Sequence, residues 1–542
     1  MDRQETTQEQ VTTIDQSSIS IKEIFRKNAA HKPWTNKTKI LFRIAFVFFV
    51  LMCIPNSLDW YKHVLNIDWT QLHYRDLYDI ARFGSGITIF GNSILGNQLA
   101  GYASWIITFG IAIVVGAAWT LLSKRNGEPE EYNRLYYWVR ALVRYRAGIG
   151  IIGFGFTKLL PVQMPYPGFG LLNTDFGDFT AQKIYWLSVG IVPWYQIFAG
   201  VVEVLAGTLL FFRGTTFWGA ALLFGALGDI VYVNFAYDGG VHVYSSYFVL
   251  LSAFLLLQDI PKLYNLLINE RITLSNNFYP TFEGWWQYVR IGLKSATIFI
   301  FLILLFYLQY INFLYDPYKQ PSTAGVKKLR GNYEVTEFRV NHKIIPFSPL
   351  DSIRWQEASF EKWSTLTFKV NKPTPLDLSN GGGDPMRDVN RTFELTGVAG
   401  GRRVFHYYAD TVNHLLYLQD KYKDFSDGRN RLEALPEAGN KKVGQHVQKE
   451  EQDWIPQEAW KNIGNEVDFI HPKARSARRT REFASASKNE KRKRMILHYS
   501  TEDGSKVFLK GIDEHKDSIH VLLTKFERRY AISPGNLEAG QY

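Results

Sequence analysis

The chain changes its hydrophobic period near the middle. Residues 1–315 hold the long apolar runs, and residues 316–542 hold none. Seven runs approach the roughly 20 residues that a helix needs to cross a bilayer. They span 40–58, 101–122, 137–160, 185–212, 216–236, 241–258 and 293–315. Beyond residue 330 the period shortens to two. The segments NYEVTEFRVN, IRWQEASFEK, STLTFKVN, NRTFELTG, RRVFHYYAD, HLLYLQDK, RMILHYST, KVFLKGID and SIHVLLTKF alternate apolar with polar residues. They are rich in aromatic and β-branched side chains, as strands are. The predicted fold is an α-helical polytopic membrane bundle followed by an all-β barrel or sandwich.

Domain boundaries follow from that change. Residues 1–39 form a polar arm, and 40–136 hold two spans with an outer loop. Residues 137–262 make a four-helix core, and 263–315 an interfacial helix, signalled by GWWQYVR, and the last span. Residues 316–542 form the β domain, interrupted by a basic insertion at about 424–493. The loop 59–100 is aromatic enough to fold over the outer mouth of the bundle.

Charge adds an orientation. The net charge is +11. Much of the basic excess flanks the predicted spans, in loops 123–136, 213–215 and 259–292. Loops 161–184 and 237–240 carry Asp175, Asp178 and Asp238 against one base, Lys183. The positive-inside rule places the N-terminus in the cytoplasm, so seven spans put the β domain outside, in the periplasm of a cell with two membranes. No cleavable signal precedes the first run, and Arg43 within it is expected to snorkel to the near interface. The basic insertion reads as a solvated loop; outside the cell membrane it would meet anionic lipid or an acidic protein, and no nucleic acid. Cys53 is the only cysteine, which excludes an intrachain disulfide and a CxxC redox pair.

Polar residues inside the runs are the candidate chemistry. Arg146 and Glu203 lie at nearly equal depth, so Arg144 or Arg146 is expected to pair with Glu203, locking two helices or binding a proton or ligand. Gly200, Glu203 and Gly207 share one helix face, which aims Glu203 into the bundle. A second group is expected at the outer mouth: Lys158, Gln163, Asp229, Asn234, His242 and Tyr244. Its convergence would suit a small polar molecule or a quinone headgroup; the plainer alternative is interface decoration. His242 carries no metal signal, because no second His or Cys stands at ligand spacing. No catalytic residue and no cofactor motif can be named.

Residues 137–262 resemble the DoxX/DoxD family of four-helix membrane proteins. The resemblance rests on RAGIGIIGFGFTKLLP, WYQIFAGVVEVLAGTLLFF, the glycine-rich FWGAALLFGALGDIVYVNF and a last helix running to LLQD. It implies a membrane bundle in a quinone-linked redox setting, and carries over only Lys158, Glu203 and the glycines around them. The extra spans and the β domain depart from that family. GNYEVTEFRVN, DSIRW and DSIHVLL resemble a lipocalin-like barrel, with a filled core or one apolar ligand inside. Three functions follow as expectations: an accessory subunit of a quinone-linked redox complex, a lipid- or partner-binding envelope protein without catalysis, or a proton-coupled transporter. Any enzyme among them would be an oxidoreductase, with its electrons supplied by a partner.

Overall fold

A computed structural model describes residues 34–84, 86–87, 99–271, 277–382, 387–422, 469–480, 492–532 and 537–542. Most of the polar arm and of the basic insertion lies outside the described residues. Among the described residues, thirteen α-helices precede a nine-stranded sheet.

The first four are α1 (Asn36–Cys53), α2 (Leu58–Leu65), α3 (Tyr74–Ala81) and α4 (Ala103–Asn126). Next come α5 (Asn133–Leu159), the short α6 (Phe169–Leu172), α7 (Ala181–Gly190), α8 (Pro193–Leu210), α9 (Thr216–Ala236) and α10 (His242–Leu256). Then follow α11 (Ile260–Leu267), α12 (Trp285–Ile298) and α13 (Leu305–Tyr315). Among the described residues, four helices are long and apolar enough to cross a membrane: Ala103–Asn126, Pro193–Leu210, Arg213–Ala236 and Trp285–Tyr315. Two bent pairs raise the number to six if each is one span, α1 with α2 at 52° and α10 with α11 at 65°. Large apolar side chains on these helices stand exposed, among them Phe109, Val114, Trp194, Phe198, Trp218 and Leu293.

The predicted spans are corrected in two places, and one, 137–160, is a helix too charged to count on apolarity alone. Span four is two helices, broken before Pro193, which opens α8 at a position where its missing N–H costs nothing. GWWQYVR is not a separate interfacial helix. It starts at Gly284, whose φ of 59° stops any preceding helix, and runs into the last span. α5 is not among the apolar candidates, because Arg140, Arg144, Arg146 and Lys158 interrupt it.

α5 occupies the centre and touches α1, α3, α8, α10 and α13. Glycine sets its closest approach. Gly155 of α5 and Gly200 of α8 are so near that a Cβ on Gly155 would stand 2.9 Å from the Val204 backbone nitrogen. A Cβ on Gly148 would meet the Gly207 carbonyl at 3.0 Å. On its other side, Gly153 leaves room for the Tyr78 ring of α3, at 2.9 Å from a Cβ there. Thus the loop 59–100 packs α3 against α5 and α13, along the flank of the bundle. Arg43 of α1 does not snorkel. It is fully buried and donates to Glu128, Thr120 and Tyr132 at 2.7–3.0 Å.

The strands are β1 (Gly331–Val340), β2 (Lys343–Ile344), β3 (Glu357–Phe360), β4 (Thr365–Lys369) and β5 (Arg402–Asp410). They continue as β6 (Leu415–Asp420), β7 (Arg494–Ser500), β8 (Lys506–Ile512) and β9 (Ser518–Phe526). Neighbours pair antiparallel, and β1 also pairs with β9, from Asn332 opposite Phe526 to Val340 opposite Ile519. Setting aside the two-residue β2, the result is a closed eight-stranded up-and-down barrel. Its interior is packed with Tyr333, Phe338, Trp355, Phe360, Phe368 and Phe405. Trp355 stacks on Phe368 with ring centres 3.8 Å apart.

One predicted strand, NRTFELTG, is not a strand. Its backbone turns on itself, with Thr396 N bonded to Thr392 O at 2.9 Å. It serves as the docking segment between barrel and helices. Phe393 stacks on Trp186 of α7 at 6.2 Å, and Thr180 N bonds Gly397 O at 3.0 Å. The other anchor is Asn173, at the end of α6. Its amide bonds Asn332 at 2.8 Å, while Arg528 and Tyr530 donate to its oxygen at 2.7 and 2.8 Å. The C-terminal residues close the joint: Gly540 N bonds Phe313 O, and Tyr542 donates to Pro321 O.

Replacing Gly200 by Val should push α8 off the Leu159 backbone and cost about 1–3 kcal/mol by overpacking. Gly225→Ala, where a Cβ meets nothing within 4 Å, should leave stability unchanged or raised. Thermal unfolding of the two variants in the same detergent measures the difference.

Candidate functional site in the helical bundle

Glu203 is fully buried on α8, and its partner is Lys158, not Arg144 or Arg146. The helix geometry explains the correction. Arg146 lies two residues before Gly148, about 200° around α5 from the face that packs on α8. Arg144 shares that face but sits nearer the opposite end, where it bonds Thr216 at 3.4 Å. Helical side chains lean toward their own N-terminus, so Lys158 leans inward along α5 and Glu203 leans outward along α8. They meet between their Cα levels. Lys158 donates to Oε1 of Glu203, and Oε2 has no partner among the described residues.

Arg146 faces the other way, and its surroundings are unusual for a buried cation. It is 6% exposed, and none of its three guanidinium nitrogens has a hydrogen-bond partner among the described residues. It lies over the Phe83 ring at 4.0 Å and over Tyr247 at 5.1 Å. The Tyr244 hydroxyl is its polar neighbour, interacting through charge and as a hydrogen-bonding group at a looser geometry than an ordinary hydrogen bond. Gly150, one turn along α5, makes the room: a Cβ there would stand 2.7 Å from Arg146 Nη1. Phe154 continues the wall, against Tyr244 at 5.3 Å and Tyr78 at 5.2 Å. Arg82 lies over Tyr78 and Phe154 at 5.7 and 5.6 Å. Two cations thus face an aromatic lining of α3, α5 and α10. Such a lining suits a flat, weakly polar group that accepts a hydrogen bond.

The predicted outer group does not converge on one place. Tyr244 belongs with Arg146. Gln163 accepts from Thr157 at 3.3 Å. Asn234 closes the end of α9, donating to Ile230 O at 2.7 Å while Gly239 N bonds its carbonyl. His242 packs on Phe235 at 4.5 Å, beside that turn. Asp229 stands exposed on α9. Sequence reasoning missed Tyr78, Arg82, Phe83 and Tyr247. For Tyr247 a signal existed, since HVYSSYF puts it three residues after Tyr244 on one helix face.

A second chemical locus lies at the joint with the barrel. A pocket of ≈ 120 Å³ is lined by Pro165, Tyr166, Pro193, Glu361, Trp363 and Tyr530. Glu361 accepts from the backbone N–H groups of Phe169 and Gly170 at 2.9 and 2.7 Å. Burial pushes its carboxyl up to about 7, against the pull of those two donors. Lys183, on α7, donates to Phe393 O and lies 3.7 Å from the Phe393 ring centre. Burial brings it down to about 7, opposed by the Glu394 and Asp377 carboxylates. In the turn between β8 and β9, Asp513, Glu514 and His515 cluster. There Asp513 accepts from the backbone of His515 and Asp517, so the cluster is turn chemistry.

No family model, no curated protein and no solved structure matches this chain.

Removing one member of the Lys158–Glu203 pair should cost about 3–5 kcal/mol, because the other charge is left buried alone. Lys158→Met combined with Glu203→Leu should recover most of that loss in thermal unfolding. Glu361 binds its proton more tightly when folded, so its contribution is fully present below pH 4.5 and is lost as pH rises toward 7. The wild-type melting temperature, relative to that of Glu361→Gln, should fall across that interval and level off above it.

Proposed function

We propose that this chain is an integral protein of the bacterial inner membrane, of the DoxX type. In this reading it is an accessory subunit of a redox complex whose bundle binds a membrane quinone. Exposed apolar side chains on four to six long helices support placement in a bilayer, since such belts are unfavourable in water. Basic residues around the α4–α5, α8–α9 and α10–α12 connections support an N-terminus in the cytoplasm, and counting the protein-covered α5 as a seventh crossing puts the barrel on the periplasmic side.

The observation that carries the quinone reading is Arg146, buried under aromatic rings with the Tyr244 hydroxyl as a neutral polar neighbour and no carboxylate paired with it among the described residues. A quinone carbonyl would accept from the guanidinium, and its ring would lie among Phe83, Phe154 and Tyr247. The chain then holds and orients the quinone while a partner protein moves the electrons. The packed barrel interior favours a docking role for that domain over ligand storage.

Protein purified from its own membrane should carry quinone detectable by solvent extraction and mass spectrometry. Arg146→Gln should retain about tenfold less or lower, the worth of a hydrogen bond to a charged donor. A folded Arg146→Gln protein with undiminished quinone would overturn the reading.

A further inference from the structure

At the end of the bundle remote from the barrel lies a larger cavity, of ≈ 500 Å³. It opens between the start of α5, the α8–α9 turn and the end of α10. Four cations line it, Arg140, Arg144, Arg213 and Lys262, with one acid, Asp259. Asp259 is taken by Lys262 at 2.9 Å. None of the three arginines meets a carboxylate among the described residues. Arg140 donates to Leu255 O at 2.8 Å, and Arg213 lies over the Tyr279 ring at 3.9 Å. Arg144 has a 3.4 Å contact to Thr216 and lies over the Tyr145 ring at 5.4 Å, with the Tyr145 hydroxyl as a further neutral neighbour. Lys294, stacked on Phe212 at 4.0 Å, adds to the positive field on Arg144.

Three guanidinium groups gathered in one polar cavity repel one another, and the half-buried Arg140 and Arg144 also lose water. An anion with several acceptor oxygens relieves both costs, and the planar fork of arginine fits phosphate oxygens in pairs. We infer that this cavity binds the phosphate of an anionic phospholipid from the cytoplasmic leaflet. The lipid source follows from place and lining: the cavity lies at the predicted cytoplasmic ends of the spans, and Tyr136, Tyr137 and Phe217 wall it with rings suited to the bilayer interface. The inference rests on the membrane placement proposed above and is independent of the quinone site, since Arg146 lies on a different face of α5.

The test uses the full chain in a neutral detergent, with thermal unfolding and native mass spectrometry as readouts. Added phosphatidylglycerol should raise the melting temperature and leave lipid bound, whereas phosphatidylcholine should do neither. Inorganic phosphate and glycerol phosphate, the soluble sources of the same chemistry, should give no shift. Arg144→Gln with Arg213→Gln should lower lipid retention about tenfold or more. Arg213 is exposed in its turn, so Arg213→Gln alone supplies a folded variant, with a smaller loss in the same direction. Equal stabilisation by phosphatidylcholine, a shift with soluble phosphate alone, or unchanged retention in the folded variants would each overturn the inference. Bound quinone, read by extraction from the same samples, reports on the Arg146 site separately. A chain monodisperse without detergent would remove the membrane premise of both.

Discussion

Everything in the helical half answers to one constraint: α5 is too charged to face lipid. Arg140, Arg144, Arg146 and Lys158 all lie on it, so every side of that helix must be covered by protein. The cover differs around the circumference. Toward α8 the glycines bring two backbones together, and Glu203 receives Lys158. Toward α3 and α10 the cover is aromatic, and rings receive Arg146 without completing its hydrogen bonds. At the end remote from the barrel the cover opens, and the arginines face a cavity. One helix thus produces a satisfied charge, an unsatisfied charge and a charged opening in sequence along its length.

The barrel plays a different mechanical part. Its interior is filled by aromatic rings, so its specificity resides on the outside, in the segment around Phe393 and in the ends of β1, β3 and β9 that grip Asn173. The joint buries polar groups in quantity, Asn173, Lys183 and Glu361 among them. Glu361 and Lys183 are both shifted to near neutrality by burial, in opposite directions. The docked state therefore tolerates both groups best when each is uncharged.

The β half was the more legible in sequence, because a period of two reports directly on a wall with one packed side. NRTFELTG imitates that pattern, but its Arg391 and Glu394 are buried in ion pairs that tie it to its surroundings. No local alternation reveals such long-range partners. In the helical half, the runs and their glycines were readable, while the ion pair was not. Depth counted along Cα atoms ignores which way a side chain leans and which face it leaves from. Arg146 and Glu203 matched in depth and failed on both counts. The aromatic partners of Arg146 are Phe83, more than sixty residues upstream, and Tyr247, about a hundred downstream, and only the fold brings them together.

The closure of the barrel by β1 and β9 has a consequence for biogenesis. β1 is made early and waits with one edge open until nearly two hundred more residues have been synthesised, the long insertion among them. Only then can β9 zip along it, and only then can Gly540 and Tyr542 latch onto the end of α13 and the linker beyond it. Until that moment the last helix and the half-made sheet share an unpaired strand edge, the kind that recruits neighbouring chains. The cell must shield this protein longest at the place where its two halves join.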